Sequence, residues 1–333
     1  MPIPFIIAGV AVAAGAYGVK KGIDAKEDFD TAKRWNKKAE RIYNVAQEQL
    51  ENKRKNTDIA LQNLGSLKVN IYQNSLKDFS DIFAKIKNID FEDNLALGIL
   101  NSVDEQDVLD IQDTILKMEE VLGGGIAALG SGALAGFGAL GGVGMLASAS
   151  TGTAIASLSG AAATNATLAW LGGGSLAAGG FGMAGGMAVL GGIVAGPVLA
   201  VGGMMMASKA EEAKHTAYAN YDKAEAAVEQ MDSACIVLDG IYRRVEEFIE
   251  VLEPLNEILE DYIDEIEEIV NRSNDWRTYT QEEKETVMAT ASIAKTVKNL
   301  CDTPIIDEEG EVTKKSKEVL SKAKELTNKL NEV

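Results

Sequence analysis

The chain has 333 residues, 46% apolar and 25% charged, with a net charge of −18 at neutral pH. Such acidity, with no aromatic-plus-basic platform to interrupt it, excludes a nucleic-acid surface, because phosphate backbones would be repelled. One histidine and two cysteines, Cys235 and Cys301, leave no HExxH pair and no Cys/His zinc spacing. No metal or cofactor is therefore expected, and the thiols read as reduced and cytosolic.

Ile3–Val19 is uncharged and is followed by Lys20 and Lys21. A secretory signal carries its positive charges before the apolar run, so no signal peptide is expected. The stretch serves either as a buried helix start, which Pro2 and Pro4 would suit, or as a membrane anchor at the lower limit of length. From Lys20 to about Leu64 the pattern is helical and mixed in charge. Phe29, Ala32, Asn36, Ala39, Tyr43, Ala46 and Leu50 alternate spacings of three and four, a narrow seam for another helix. A second helix is expected over Leu67–Ile89, with Leu76, Phe79, Ile82, Phe83 and Ile86 on its apolar face. After a break at Asn88–Leu100, Ser102-Val103-Asp104-Glu105 reads as a capping box. It opens a helix through Val108, Ile111, Ile115 and Met118 into Leu122.

Val121–Ser208 then runs for 88 residues without Asp, Glu, Lys, Arg or His and holds 25 of the 33 glycines. Uncharged runs of this length are the sequence signature of bilayer-spanning helices. Gly123–Gly125 and Gly172–Gly174 punctuate the run, so two spans are expected near 126–147 and 180–206, the second bent by Pro197, with three as the alternative count. Ser148–Thr167, with Asn165, reads as a turn, a re-entrant piece or the wet face of a helix. Glycines recur four apart at Gly132/Gly136, Gly138/Gly142, Gly182/Gly186 and Gly192/Gly196. Such pairs share a helix face and let a second backbone approach closely, as in a glycine zipper. Phe137, Trp170 and Phe181 are the expected membrane-facing aromatics. Residues 135–146 and 179–190 resemble each other, as two arms of a hairpin or low-complexity drift would make them. Gly136–Gly141 and Gly180–Gly185 both satisfy GxGxxG, but neither follows a strand or precedes a suitably spaced acid, so nucleotide binding is rejected. Met204–Met206 reads as apolar filler rather than a soft-metal site.

Beyond Lys209 a helix is expected to about Gln230, with His215 on its surface. Next comes the clearest periodicity: Leu238, Ile241, Val245, Phe248, Leu252, Leu255, Leu259, Tyr262, Ile266 and Ile269, an a/d coiled-coil seam. Pro254 lies inside it and is expected to kink or split the helix. Val245–Asn271 holds 11 acidic residues and no Lys or Arg, whereas residues 20–55 carry 11 basic against 7 acidic ones. Antiparallel packing of these two segments would offset charge. Thr280 with Glu283 suggests a capping box for a helix to about Leu300; a turn at Pro304–Gly310 and a helix over Thr313–Leu330 close the chain. Strand-like alternation is absent.

A charged helical arm, a Gly/Ala-rich apolar hairpin and a second charged coiled-coil arm resemble the plan of apolipoprotein-L-like proteins and, more loosely, of helical pore-forming toxins of the cytolysin A type. The resemblance rests on the Leu122–Ser208 block, above all 166–174 (ATLAWLGGG) and 191–198 (GGIVAGPV). It implies a hairpin shielded by the bundle in a soluble form, which then inserts and oligomerises.

The expected fold is all-α: an elongated bundle of long helices with a hydrophobic hairpin head. Its expected parts are an apolar N-terminal segment (1–20), a charged arm (21–122), a membrane-inserting hairpin (123–208), an acidic coiled-coil arm (209–301) and a turn with a C-terminal helix (302–333). The expected function is a membrane-inserting, oligomerising, pore-forming or membrane-perturbing protein with a transmembrane helix. The alternative is a constitutive membrane scaffold whose coiled coil binds a protein partner. No paired carboxylates or nucleophile–base arrangement points to an enzyme. The expected partners are a lipid bilayer and either further copies of the chain or a helical partner protein, without nucleic acid; the expected location is cytoplasmic with membrane association.

Overall fold

Residues 19–73 are rich in Lys, Ala, Asn, Glu, Gln and Leu and contain no proline, a composition that favours a helix along the whole stretch. In the computed structural model they form one helix, α1 (Val19–Gln73). The structure describes residues 19–91, 103–122, 134–139, 141, 210–307 and 310–331. These are all-α: α2 (Ser75–Phe83), α3 (Glu105–Leu122), α4 (Ala210–Arg272), α5 (Gln281–Asp302) and α6 (Lys314–Asn331) follow α1. No strand occurs among the described residues, only isolated bridges at Lys87/Asp275 and Ile306/Val312.

Several expected boundaries move. The break foreseen near Gly65 falls instead at Asn74, and Gly65 lies inside α1. Pro254 neither splits nor ends α4, which runs through it for 63 residues. A proline inside a helix costs about 3 kcal/mol, but Leu252, Leu255 and Leu259 around it are completely buried, at roughly 1.5–3 kcal/mol apiece. Packing wins. The box opening α3 is Asp104/Asp107: the Asp107 N–H donates to Asp104 Oδ1 at 2.8 Å and the Asp104 N–H to Asp107 Oδ2 at 3.0 Å. The Thr280/Glu283 box stands at the start of α5 as foreseen.

The described residues divide into two compact units, with boundaries at Lys55/Asn56 and Asp239/Gly240, so α1 and α4 each contribute to both. In the first unit the two helices pair side by side. Asp28 meets Lys214 at 2.9 Å, Asn36 meets Asn220 at 3.2 Å and Lys53 meets Asp239 at 2.6 Å. The separation in sequence stays near 185, so the helices run parallel. The expected antiparallel pairing of 20–55 with 245–271 is thereby corrected. Ala39, Tyr43, Ala46 and Leu50 bury against Ala224, Ala227, Met231, Ala234 and Leu238. Alanine every seventh residue lets the backbones approach closely, and the Asn36–Asn220 amide pair inside the seam fixes its register. Trp35 and Tyr221, ring centroids 4.9 Å apart, flank this seam, with the Lys38 ammonium over both faces.

The second unit is built around α5. Its residues Val287–Ala294 are buried without interruption, as a helix apolar on all sides requires. α2, α3 and α6 pack on it, and the seam of α4 from Ile241 to Ile269 joins the same core. Ile266 is fully buried there, Ile263 takes a buried place beside it, and Tyr262 is half-buried. The 3-10 turn Trp276–Thr278 links α4 to α5 and buries the Trp276 ring.

The expectation of a transmembrane helix, and of a pore formed by it, is overturned: among the described residues no helix is long and apolar enough to cross a membrane. The long helices α1 and α4 carry charges along their length. Of the expected 126–147 span the structure describes residues 134–139 and Gly141, whose φ is +68°. The 180–206 span and the residues Gly132, Gly142, Trp170, Phe181, Gly182, Gly186, Gly192 and Gly196 lie outside the described residues.

Candidate functional site

Residues 134–139 form a short helical stretch whose far side is buried in the second unit. Two glycines set how close it comes. A Cβ on Gly65 would sit 1.9 Å from the Leu134 carbonyl oxygen, and one on Gly138 would sit 2.0 Å from the Leu61 carbonyl oxygen. The two backbones therefore cross in direct contact, with no room for any side chain. Gly138 was expected to let a second backbone approach closely; the backbone that does so here is that of α1 at Leu61 and Gly65. Gly136 is half-buried beside this contact. Phe137, expected to face lipid, is instead 1% exposed and lies 6.0 Å, centroid to centroid, from Tyr72. An apolar ring prefers a closed protein pocket to water as readily as it prefers lipid, so sequence alone does not choose between them.

The C-terminal carbonyls of a helix lack partners within the helix. Those of 134–139 find them in the body. The Ile305 N–H donates to the Ala139 carbonyl at 2.7 Å, and Lys68 Nζ donates to the Gly138 carbonyl at 3.3 Å. Gly141 then turns away over the end of α5, where a Cβ would come within 2.6 Å of the Cys301 and Asp302 carbonyl oxygens. Both its φ and its surroundings require glycine.

Beneath the crossing lies a small polar cluster. The Tyr72 hydroxyl donates to Asp302 Oδ1, and Lys298 Nζ lies 2.7 Å from Asp302 Oδ2. Lys68 is completely buried, with the Phe248 ring 5.6 Å from its ammonium. Burial lowers the Lys68 pKa to about 8, against a smaller upward pull from Cys301 and Asp302. Burial, followed by the Asp302 charge, holds the Tyr72 phenol well above its usual range. Burial likewise pushes the Cys301 thiol up, so it stays protonated and unreactive. Among the described residues no group of His, Cys, Asp and Glu could hold a metal ion.

The coiled-coil seam from Ile241 to Ile269 shares a core with this site, and its Phe248 faces Lys68. Gly65, Lys68, Tyr72 and Asp302 were not foreseen as site residues. A signal was present: Leu61, Leu64, Gly65, Lys68 and Tyr72 fall on one helical stripe, where a lysine is out of place. No family model, curated protein or solved structure matches the chain.

Proposed function

We propose that this chain is a membrane-associating, membrane-perturbing protein that keeps part of its uncharged Gly/Ala-rich segment docked on a bundle of helices and gives it up to a lipid surface. The observation carrying this reading is the Gly65–Gly138 crossing. It buries Phe137, Gly138 and Ala139, which belong to a run of 88 residues without a charge. A run of that composition leaves too much apolar surface for free exposure in water, yet its glycines lower what it gains by transfer to lipid. A docked state and a lipid-bound state of similar free energy follow from that balance.

The test is recovery without detergent followed by vesicle flotation. The full chain should be obtained in buffer and should float with phosphatidylcholine vesicles once they are added. Gly65→Val, which forces a branched side chain into the crossing, should increase the floated fraction. A soluble protein that never floats, with Gly65→Val behaving identically, would refute the reading.

A further inference from the structure

We propose that the buried ammonium of Lys68 is a built-in bias against the docked state of residues 134–139 and Gly141, so that release of this segment is driven by the return of one charge to water. The inference deepens the membrane reading above and rests on it only for the consequence at a bilayer.

An ammonium has three N–H donors, and among the described residues Lys68 makes one hydrogen bond, a long one, to the Gly138 carbonyl. The nearest carboxylate is already engaged: one oxygen of Asp302 takes the Tyr72 hydroxyl and the other takes Lys298. Two ammonium groups thus share one carboxylate, and Lys298 holds the contact. Cys301 is a neutral thiol, and from α4 the group facing Lys68 is the Phe248 ring. A ring face attracts a cation but does not replace its hydration. Lys68 is also completely shielded from solvent while the segment is docked.

The same contact makes the bias act on one movement. When 134–139 and Gly141 lift away, Lys68 loses its one acceptor among the described residues and gains solvent, and the cost of burying it disappears. Its pKa of about 8, against 10.5 for an ordinary lysine, sets the sign. The docked form binds the proton less well than the open form, so protonation favours opening. Below about pH 8 the bias is complete, and it fades as pH rises toward 10.5. Its size is on the order of a hundredfold in the docking equilibrium.

Lys68→Met keeps the length of the side chain and removes the charge. At pH 7 the variant should resist urea better than the native chain, and the gap should close by pH 10.5. Its floated fraction on phosphatidylcholine vesicles at pH 7 should fall severalfold. A variant that is less stable at pH 7, or fails to fold, overturns the proposal, as does a gap that ignores pH. A gap that follows pH while neither protein floats upholds the bias and removes the membrane reading instead.

Discussion

Gly138→Ala adds one methyl group where the structure has no space for it. The new Cβ would lie 2.0 Å from the Leu61 carbonyl oxygen and 2.9 Å from its carbon, whereas ordinary contact begins near 3.4 Å. Both atoms are backbone in the interior of α1, so neither can rotate aside, and the crossing must open by more than an ångström. Overpacking of a tight core costs about 1–3 kcal/mol, and a rigid backbone neighbour places this case at the upper end. Alanine recovers up to about 1 kcal/mol through its better helix propensity. The net cost is about 2 kcal/mol, roughly a thirtyfold shift toward the undocked form. Cys301, completely buried beneath Gly141, supplies the readout in a Cys235→Ser background. A thiol reagent should label Cys301 about thirtyfold faster in Gly138→Ala than in the native sequence. Equal labelling rates together with equal urea midpoints would refute the crossing as the element that holds the segment.

Three other perturbations test the frame around the site. Gly240→Ala should stabilise by about 0.5–1 kcal/mol in urea, because an added Cβ there meets only Val312 Cγ2 at 4.0 Å in the middle of α4. Asn220→Leu should cost about 1 kcal/mol by stranding Asn36, and Asn36→Leu with Asn220→Leu should recover it; calorimetry on the single and double variants reads this directly. Leu259→Asp puts an unpaired carboxylate at a completely buried position, at a cost on the order of several kcal/mol. It should expose apolar surface to a reporter dye.

How much of this was legible in the sequence depends on what kind of force placed each element. The a/d periodicity of α4 was readable because its apolar spacing repeats without interruption, and those side chains, apart from the half-buried Tyr262, are buried here. The partner and direction of its first half were not readable. Charge balance pointed to antiparallel pairing, but surface ion pairs contribute only about 0–1 kcal/mol each. The small residues Ala39, Ala46, Ala224 and Ala234, with the Asn36–Asn220 amide pair, decide the match instead. Continuity through Pro254 was hidden for a related reason: local propensity argued for a break, and tertiary burial on both sides overrode it.

The site was hidden because it breaks local rules. A glycine inside a helix ordinarily weakens it, so Gly65 read as an interruption; its absent side chain is what admits Gly138. A lysine in a mixed-charge helix ordinarily points to water; Lys68 is instead completely buried. Both residues lie on the stripe that carries Leu61 and Leu64, and a leucine or methionine at 68 would satisfy every packing argument better. Natural sequences depart from local consistency mainly where function is served. Here the two departures stand one turn apart, and both meet the same carbonyl-bearing edge of an uncharged segment. A substitution that repaired either one alone would change the docking and leave the core elsewhere intact, which is what separates a designed weakness from an accident of packing.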